Sequence, residues 1–304
     1  RESMHPRYMP MLVPPRPWRK YNDGGHLTIQ SVVMRGSYSR IGPSPAQLAE
    51  LKKFEQKAKR EGTKGATQVY DALNVLGETR WSMNNPVFKT VTDLWDMGGD
   101  TSGLPSRVDL EVPPEPPQMY GMYNIKGSGM FGPTVPYPEM KEYRKTAIKV
   151  RQTNSELHSL RCDFEYKVEV GKMLQDETAF YYPHNVDFRG RAYTMHPHLN
   201  HLGADVSRGL LQFADPVPLG ESGFYWLMVH VANKYANGVD KYPMQGRFDF
   251  SEKHLPDIID SAENPIHGRQ FWKEAEDPFQ FLAACREVRD ALLAPQLTAF
   301  GSRP

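Results

Sequence analysis

Five consecutive residues, Asp187-Phe188-Arg189-Gly190-Arg191, set two guanidiniums, a carboxylate and a glycine side by side, flanked by Tyr182 and Tyr193. Arginine forks pair with phosphate oxygens in bidentate fashion. Glycine lets a backbone come close to a bulky partner, and aromatic faces stack on bases or sugars. These are the components needed to hold a nucleic-acid strand. The same residues also make a solvated turn closed by a structural ion pair, with Asp187 orienting the guanidiniums. Chemistry alone leaves both readings open.

Other residues invite metal or cofactor chemistry. His196, His198 and His201 fall in an H-x-H-x-x-H spacing near His184, and imidazole is the commonest zinc ligand. No cysteine accompanies them and Pro197 stiffens the segment, both of which weaken the metal reading. Asp187 and Asp205 can in principle hold magnesium together with substrate phosphates; for Asp187 the brace is the preferred role. Gly127-Ser128-Gly129-Met130-Phe131-Gly132 matches the G-x-G-x-x-G dinucleotide fingerprint, which needs a strand before it and a helix after it. Prolines at 133, 136 and 138 argue for a flexible loop instead. Cys162 and Cys285 are too few for a disulfide framework and lack metal spacing, so buried free thiols are expected.

Net charge is +1 over 304 residues, so any basic surface must be local. The longest apolar run, Gly223 to Val231, falls far short of the ~20 residues that cross a bilayer, and no membrane role is expected. The chain opens Arg1-Glu2-Ser3 with no starting methionine or signal-like segment, which implies that upstream sequence is absent.

The elements that must position these groups read as mostly helical. A short strand is expected at His26 to Met34. Ser44-Pro45 starts a helix with Leu48, Leu51 and Ala58 as a weak apolar face, stopped at Gly62. The next helix runs from Ala66 to about Arg80 on Val69, Leu73 and Leu76. A third covers Val87 to Met97, ending at Gly98-Gly99. The proline-dense block 101–138 should carry no regular element. A long helix, or two joined by a kink, spans Glu139 to about Leu174. From Lys141 to Arg161 it carries six basic and two acidic residues, an excess of four positive charges. That is a solvated face or a phosphate-contacting one, with Leu157, Leu160 and Phe164 packing inward. Strands are expected around Phe180 to Tyr193 and Gly209 to Phe213. Helices follow at Phe224 to Ala236, at Leu255 to Glu263 and after Asp277-Pro278. In the last, Phe281, Cys285, Val288 and Leu292 mark a core face that ends at Pro295. Trp226 and Trp272 are expected in the core.

The stretch PHN-x-DFRGRAY-x-MHPHLNHL around Asp187 resembles the DxxGR motif of single-subunit, phage-type RNA polymerases, and is closest to plant and algal organellar members. Four further blocks occur in the family's order: Pro10 to Trp18, Leu76 to Asn84, His158 to Asp163 and Asp260 to Gly268. The resemblance covers residues 9 to 290 and implies a mainly α fold with a few antiparallel palm strands (α+β), part of a right-hand polymerase. It implies the C-terminal part of the N-terminal domain over 1–100, a loop over 101–138 and a thumb helix region over 139–178. A first palm segment over 179–217 and a helical palm insertion over 218–304 follow.

Template-dependent RNA synthesis in an organelle is the implied activity, present here as a central piece; a non-catalytic nucleic-acid-binding or structural product is the alternative. Arg189, Arg191, Tyr193 and Arg208 are the implied nucleic-acid contacts, with Asp187 and Gly190 as the structural brace. Family members hold magnesium through aspartates in D-G-S-C-N-G-L-Q-H and H-D-S blocks. Neither block occurs in these residues, so no catalytic residue is expected in this chain. The implied partners are DNA template, RNA–DNA hybrid, nucleoside triphosphates for the full enzyme and accessory transcription factors. The implied compartment is the mitochondrion, or alternatively the plastid.

Overall fold

The computed structural model describes residues 8–35, 44–63, 65–114, 120–121, 132–133, 137–220, 222–294 and 301–302. In chain order its elements are β1 (Arg16–Lys20), β2 (Asp23–Gly25), α1 (Pro45–Glu61), α2 (Thr67–Glu78), β3 (Trp81–Met83) and α3 (Asn85–Asp96). Then come β4 (Tyr120–Gly121), β5 (Gly132–Pro133), α4 (Tyr137–Leu174), β6 (His184–Val186), β7 (Ala192–Thr194), α5 (Asp205–Gly209), β8 (Leu211–Phe213) and β9 (Val217–Pro218). The rest are α6 (Gly223–Tyr235), α7 (Met244–Lys253), α8 (Leu255–Glu263), α9 (Pro278–Leu293) and β10 (Gly301–Ser302). The fold is mainly α with short antiparallel strand pairs, β1–β2, β3–β8, β4–β5, β6–β7 and β9–β10 among the described residues.

The chain divides into two compact units, one comprising residues 1–93 and 167–304, the other 94–166. In the second, Trp95 and Phe164 pack ring on ring at 4.6 Å. Asn154 on α4 exchanges two hydrogen bonds of 2.9 Å with the backbone of Leu110. Arg161, expected on the phosphate-facing side of the long helix, instead pairs with Asp109 and donates to the Arg107 carbonyl at 2.9 Å. Leu160 is also off the expected inner face, being 55% exposed, while Phe164 is buried. The G-x-G-x-x-G stretch lies outside the described residues except Gly132, which pairs with Gly121. That pair, β4–β5, and the first residues of α4 put regular structure into a block expected to have none.

In the first unit, α1 starts as expected: Ser44 and Gln47 form a reciprocal capping box, and Gly62 closes the helix in the left-handed conformation. Helix α2 buries Tyr70, Leu73 and Gly77, leaving Val69 and Leu76 exposed, one step round from the expected stripe. The partner decides this. Asn74 accepts from the Trp18 N–H at 2.7 Å and donates to its carbonyl at 3.2 Å, which locks α2 onto β1. The strand expected at His26 to Met34 is absent; chain pairing occurs earlier, at β1–β2, and only Met34 bridges, to Val186. Strand β1 escapes a periodicity search because Trp18 is its single buried side chain.

Helices α6 to α9 form a layer around Trp272, Phe279, Phe281, Cys285 and Val288, all fully buried. Leu292 and Trp226, expected in the core, are 43% and 52% exposed. Cys285 is the buried thiol foreseen, whereas Cys162 is only partly covered. Helix α7 has no stripe to announce it; Ser251 anchors it by donating to the Met228 carbonyl at 2.7 Å, and Tyr225 stacks on Phe248.

Candidate nucleic-acid interface

Strands β6 and β7 make a hairpin in which His184 faces Thr194, Asn185 faces Tyr193 and Val186 faces Ala192. Its turn is the Asp187 to Arg191 motif. The Asp187 N–H donates to the Arg191 carbonyl at 2.9 Å and the Gly190 N–H to the Asp187 carbonyl at 3.0 Å. Gly190 takes φ 84°, a left-handed conformation that costs little only for glycine.

Asp187 is the organiser. Its Oδ1 accepts the backbone N–H of Arg189 at 2.9 Å and of Arg191 at 3.0 Å. Its Oδ2 accepts the guanidinium of Arg189 through Nε at 3.1 Å and Nη2 at 3.0 Å. Partial burial pushes this carboxyl up, but the N–H of Arg191 and the side chain and N–H of Arg189 outweigh it, leaving the carboxyl below its ordinary value. Asp187 orients the Arg189 guanidinium, which stays 53% exposed, but it holds Arg191 only by the backbone. The Arg191 side chain is exposed and has no hydrogen-bond or ion-pair partner among the described residues.

Sequence reading missed a third arginine. Val186 pairs with the chain at Val33 to Arg35, donating to the Val33 carbonyl and accepting from the Arg35 N–H, each at 2.8 Å. This lays the Arg35 guanidinium over the Tyr193 ring, 4.8 Å from its centroid, a cation–π contact. Tyr193 Oη donates weakly, at 3.4 Å, to Asp187. Arg35 and Arg189 thus meet at one tyrosine, the first over its ring and the second through Asp187, although about 150 residues separate them. Only Val186 in the neighbouring strand could have signalled it. Arg208 is elsewhere, on α5, where Nε donates to the Gly203 carbonyl at 3.0 Å.

Behind the hairpin the chain is buried and aromatic. Tyr182, offered by sequence as a stacking face, is fully buried and donates to the Leu199 carbonyl at 2.8 Å, so it supports the hairpin and cannot stack on a base. The Trp18 indole N–H donates to the His184 carbonyl at 2.9 Å. His201 stacks on Trp81 with centroids 4.7 Å apart. His196 is enclosed: Nδ1 donates to the Tyr8 carbonyl at 2.7 Å and Nε2 accepts the Leu199 N–H at 3.1 Å. Burial pushes the imidazoles of His196 and His201 down to about 4, so both are neutral at physiological pH. With both His196 nitrogens engaged, the H-x-H-x-x-H spacing does not build a zinc site.

Magnesium does not fit the two aspartates either. The Asp187 oxygens are consumed by Arg189 and Arg191. Asp205 caps α9, Oδ2 accepting the Phe279 N–H at 2.8 Å and Oδ1 the Gln280 N–H at 3.0 Å. Among the described residues no group of three or more His, Cys, Asp or Glu side chains could hold a metal.

Two stretches of the chain match family models: residues 217–303 that of DNA-dependent RNA polymerase, and residues 1–78 that of the DNA-directed RNA polymerase N-terminal region. The hairpin lies between them. The chain belongs to the single-subunit, phage-type DNA-directed RNA polymerases. Among curated proteins it is 42% identical over 285 residues to DNA-directed RNA polymerase 3, chloroplastic, of Nicotiana sylvestris, covering 94% of this chain and 26% of that protein. Identity to DNA-directed RNA polymerase 1, mitochondrial, of Arabidopsis thaliana is 42% over 288 residues, 95% of this chain and 27% of the relative. DNA-directed RNA polymerase 2, chloroplastic/mitochondrial, of Nicotiana sylvestris matches at 42% over 285 residues. The chain spans about a quarter of the length of these relatives.

Proposed function

We propose that this chain contributes the template and hybrid grip of an organellar DNA-directed RNA polymerase. The arrangement that carries the reading is the hairpin turn, where Asp187 presents Arg189 while Arg191 and Arg35 stay available to phosphates. In this reading Arg189, Arg191 and Arg35 contact backbone phosphate, Tyr193 offers a stacking face beside them, and Arg208 contributes from α5. Residues 1–100 belong to the polymerase N-terminal domain, 101–138 to a connecting loop, 139–178 to the thumb, 179–217 to the first palm segment and 218–304 to its insertion. The substrates of the whole enzyme are nucleoside triphosphates on a DNA template. Magnesium belongs to the enzyme's chemistry, but none of its ligands is assigned to this chain. Relatives named for mitochondrion and chloroplast support an organellar site of action, with the mitochondrion proposed and the plastid as the alternative.

Phosphate contacts release counterions, so affinity falls with salt along a log–log line whose slope counts them. Anisotropy of a labelled RNA–DNA hybrid across a salt series tests the reading. Arg191→Ala and Arg35→Ala should each weaken binding and flatten the slope by about 1. Unchanged slopes in both variants would remove the phosphate-contact role from the hairpin.

A further inference from the structure

Arg286 on α9 is a buried cation to which the hairpin reading gives no task. It is 9% exposed, and one bond holds its guanidinium, from Nη2 to Thr90 Oγ1 on α3 at 2.9 Å. The Thr90 hydroxyl gives its own proton to the Pro86 carbonyl at 3.2 Å, which leaves a lone pair for the arginine. Among the described residues, Nε and Nη1 of Arg286 have no hydrogen-bond partner. Burial brings the guanidinium down to about 10, so it remains charged at neutral pH. The field of Asp290 favours that charge, but Asp290 already accepts from Arg289, through Nε at 2.7 Å and also through Nη2. Ser82 on β3 is a second orphan, its buried hydroxyl lacking a hydrogen-bond partner among the described residues.

Both orphans line one groove of about 820 Å³, whose walls also carry Arg80 and Arg289 and the carboxylates Glu177, Glu287 and Asp290. A buried charge without an ion-pair partner and with unmet donors is destabilising unless something supplies acceptors. We propose that this groove is a binding site for a phosphate group, with Arg286 as its principal charge and Ser82 as a second donor. A guanidinium fork matches phosphate in bidentate geometry, and a tetrahedral anion keeps further oxygens for a hydroxyl donor on another element. A single carboxylate has fewer acceptors to share. The unpartnered N–H groups lie beneath the groove surface, so the guanidinium turns outward about its terminal torsions as the anion enters. This site is separate from the hairpin and does not depend on it.

Calorimetric titration of the 304-residue chain with inorganic phosphate, pyrophosphate and ATP tests the site and identifies its source of phosphate. Binding by the inorganic anions alone assigns a free-phosphate site; binding by ATP alone assigns a nucleotide tail; either supports the proposal. Arg286→Met should weaken the bound anion at least ~10-fold and Ser82→Ala roughly fivefold, consistent with a lost charged and a lost neutral hydrogen bond. Thermal unfolding gives a second readout. Without anion, Arg286→Met should melt at or above the parent temperature, since it removes an unpaired buried charge; the anion should then raise the melting temperature of the parent only. Should Arg286→Met fail to fold, Ser82→Ala decides alone. No binding by any of the three anions, equal affinity in the substituted chain, or saturable binding of a poly-glutamate peptide in their place would overturn the proposal.

Discussion

Asp187 shows how one carboxylate can organise a tight turn. Four donors converge on it, two backbone N–H groups and two from one guanidinium. Because these bonds depress its pKa, the folded state prefers the ionised form. The stabilisation is complete above the ordinary aspartate value of about 4 and fades as pH falls through the lower folded value. Asp187→Asn should therefore lower the melting temperature at pH 7, with the gap from the parent closing only below about pH 4. A gap that already closes near pH 6 would point to a histidine. Spacing in the sequence identified Asp187, Arg189 and Arg191. Arg35 was invisible, because a cation–π contact across distant chain depends on strand pairing and not on local pattern.

At the scale of elements, helix starts and long helices were legible because caps and prolines act locally. Ser44-Pro45, Asp277-Pro278 and Gly98-Gly99 set their boundaries within a residue or two. Faces were less legible. On α9 the stripe Phe281, Cys285, Val288 was right, since neighbours cover that helix broadly. On α2 the stripe was displaced, because Asn74 and the close approach of Gly77 to Pro15 fix its orientation. Glycine at the α5–α9 crossing imposes a similar constraint. A Cβ on Gly209 would lie 2.8 Å from the Phe279 backbone carbon and from Phe279 Cβ. Gly209→Ala should cost about 1–3 kcal/mol of stability by overpacking, measured by urea unfolding. Gly190→Ala meets no atom within 4 Å, and only its left-handed backbone penalises it, by about 1–2 kcal/mol. Equal, negligible losses at both positions would mean that the α5–α9 contact is looser than described.

On the scale of the molecule, the described residues form two units, and the chain covers about a quarter of its polymerase relatives. Magnesium chemistry in this family requires paired carboxylates, yet Asp187 and Asp205 spend their oxygens on backbone and guanidinium donors. The purified 304-residue chain should therefore bind an RNA–DNA hybrid without extending it. A primer-extension assay with labelled nucleoside triphosphates checks this, and template-dependent product would overturn it. Loss of hybrid binding as well would favour a structural product over a polymerase segment.

Local chemistry written in the sequence was enough to determine the family and the helical character, because caps, prolines and ordered blocks of residue types act over a few positions. Tertiary structure alone decided which arginines meet. Only folding could deliver Arg35 to Tyr193, turn Tyr182 from a stacking face into a support, spend Asp205 on a helix end and leave Arg286 charged without a counter-ion. Those outcomes rest on pairing, burial and desolvation between segments far apart in the chain, whose cost and direction are set by the neighbour and not by the residue itself.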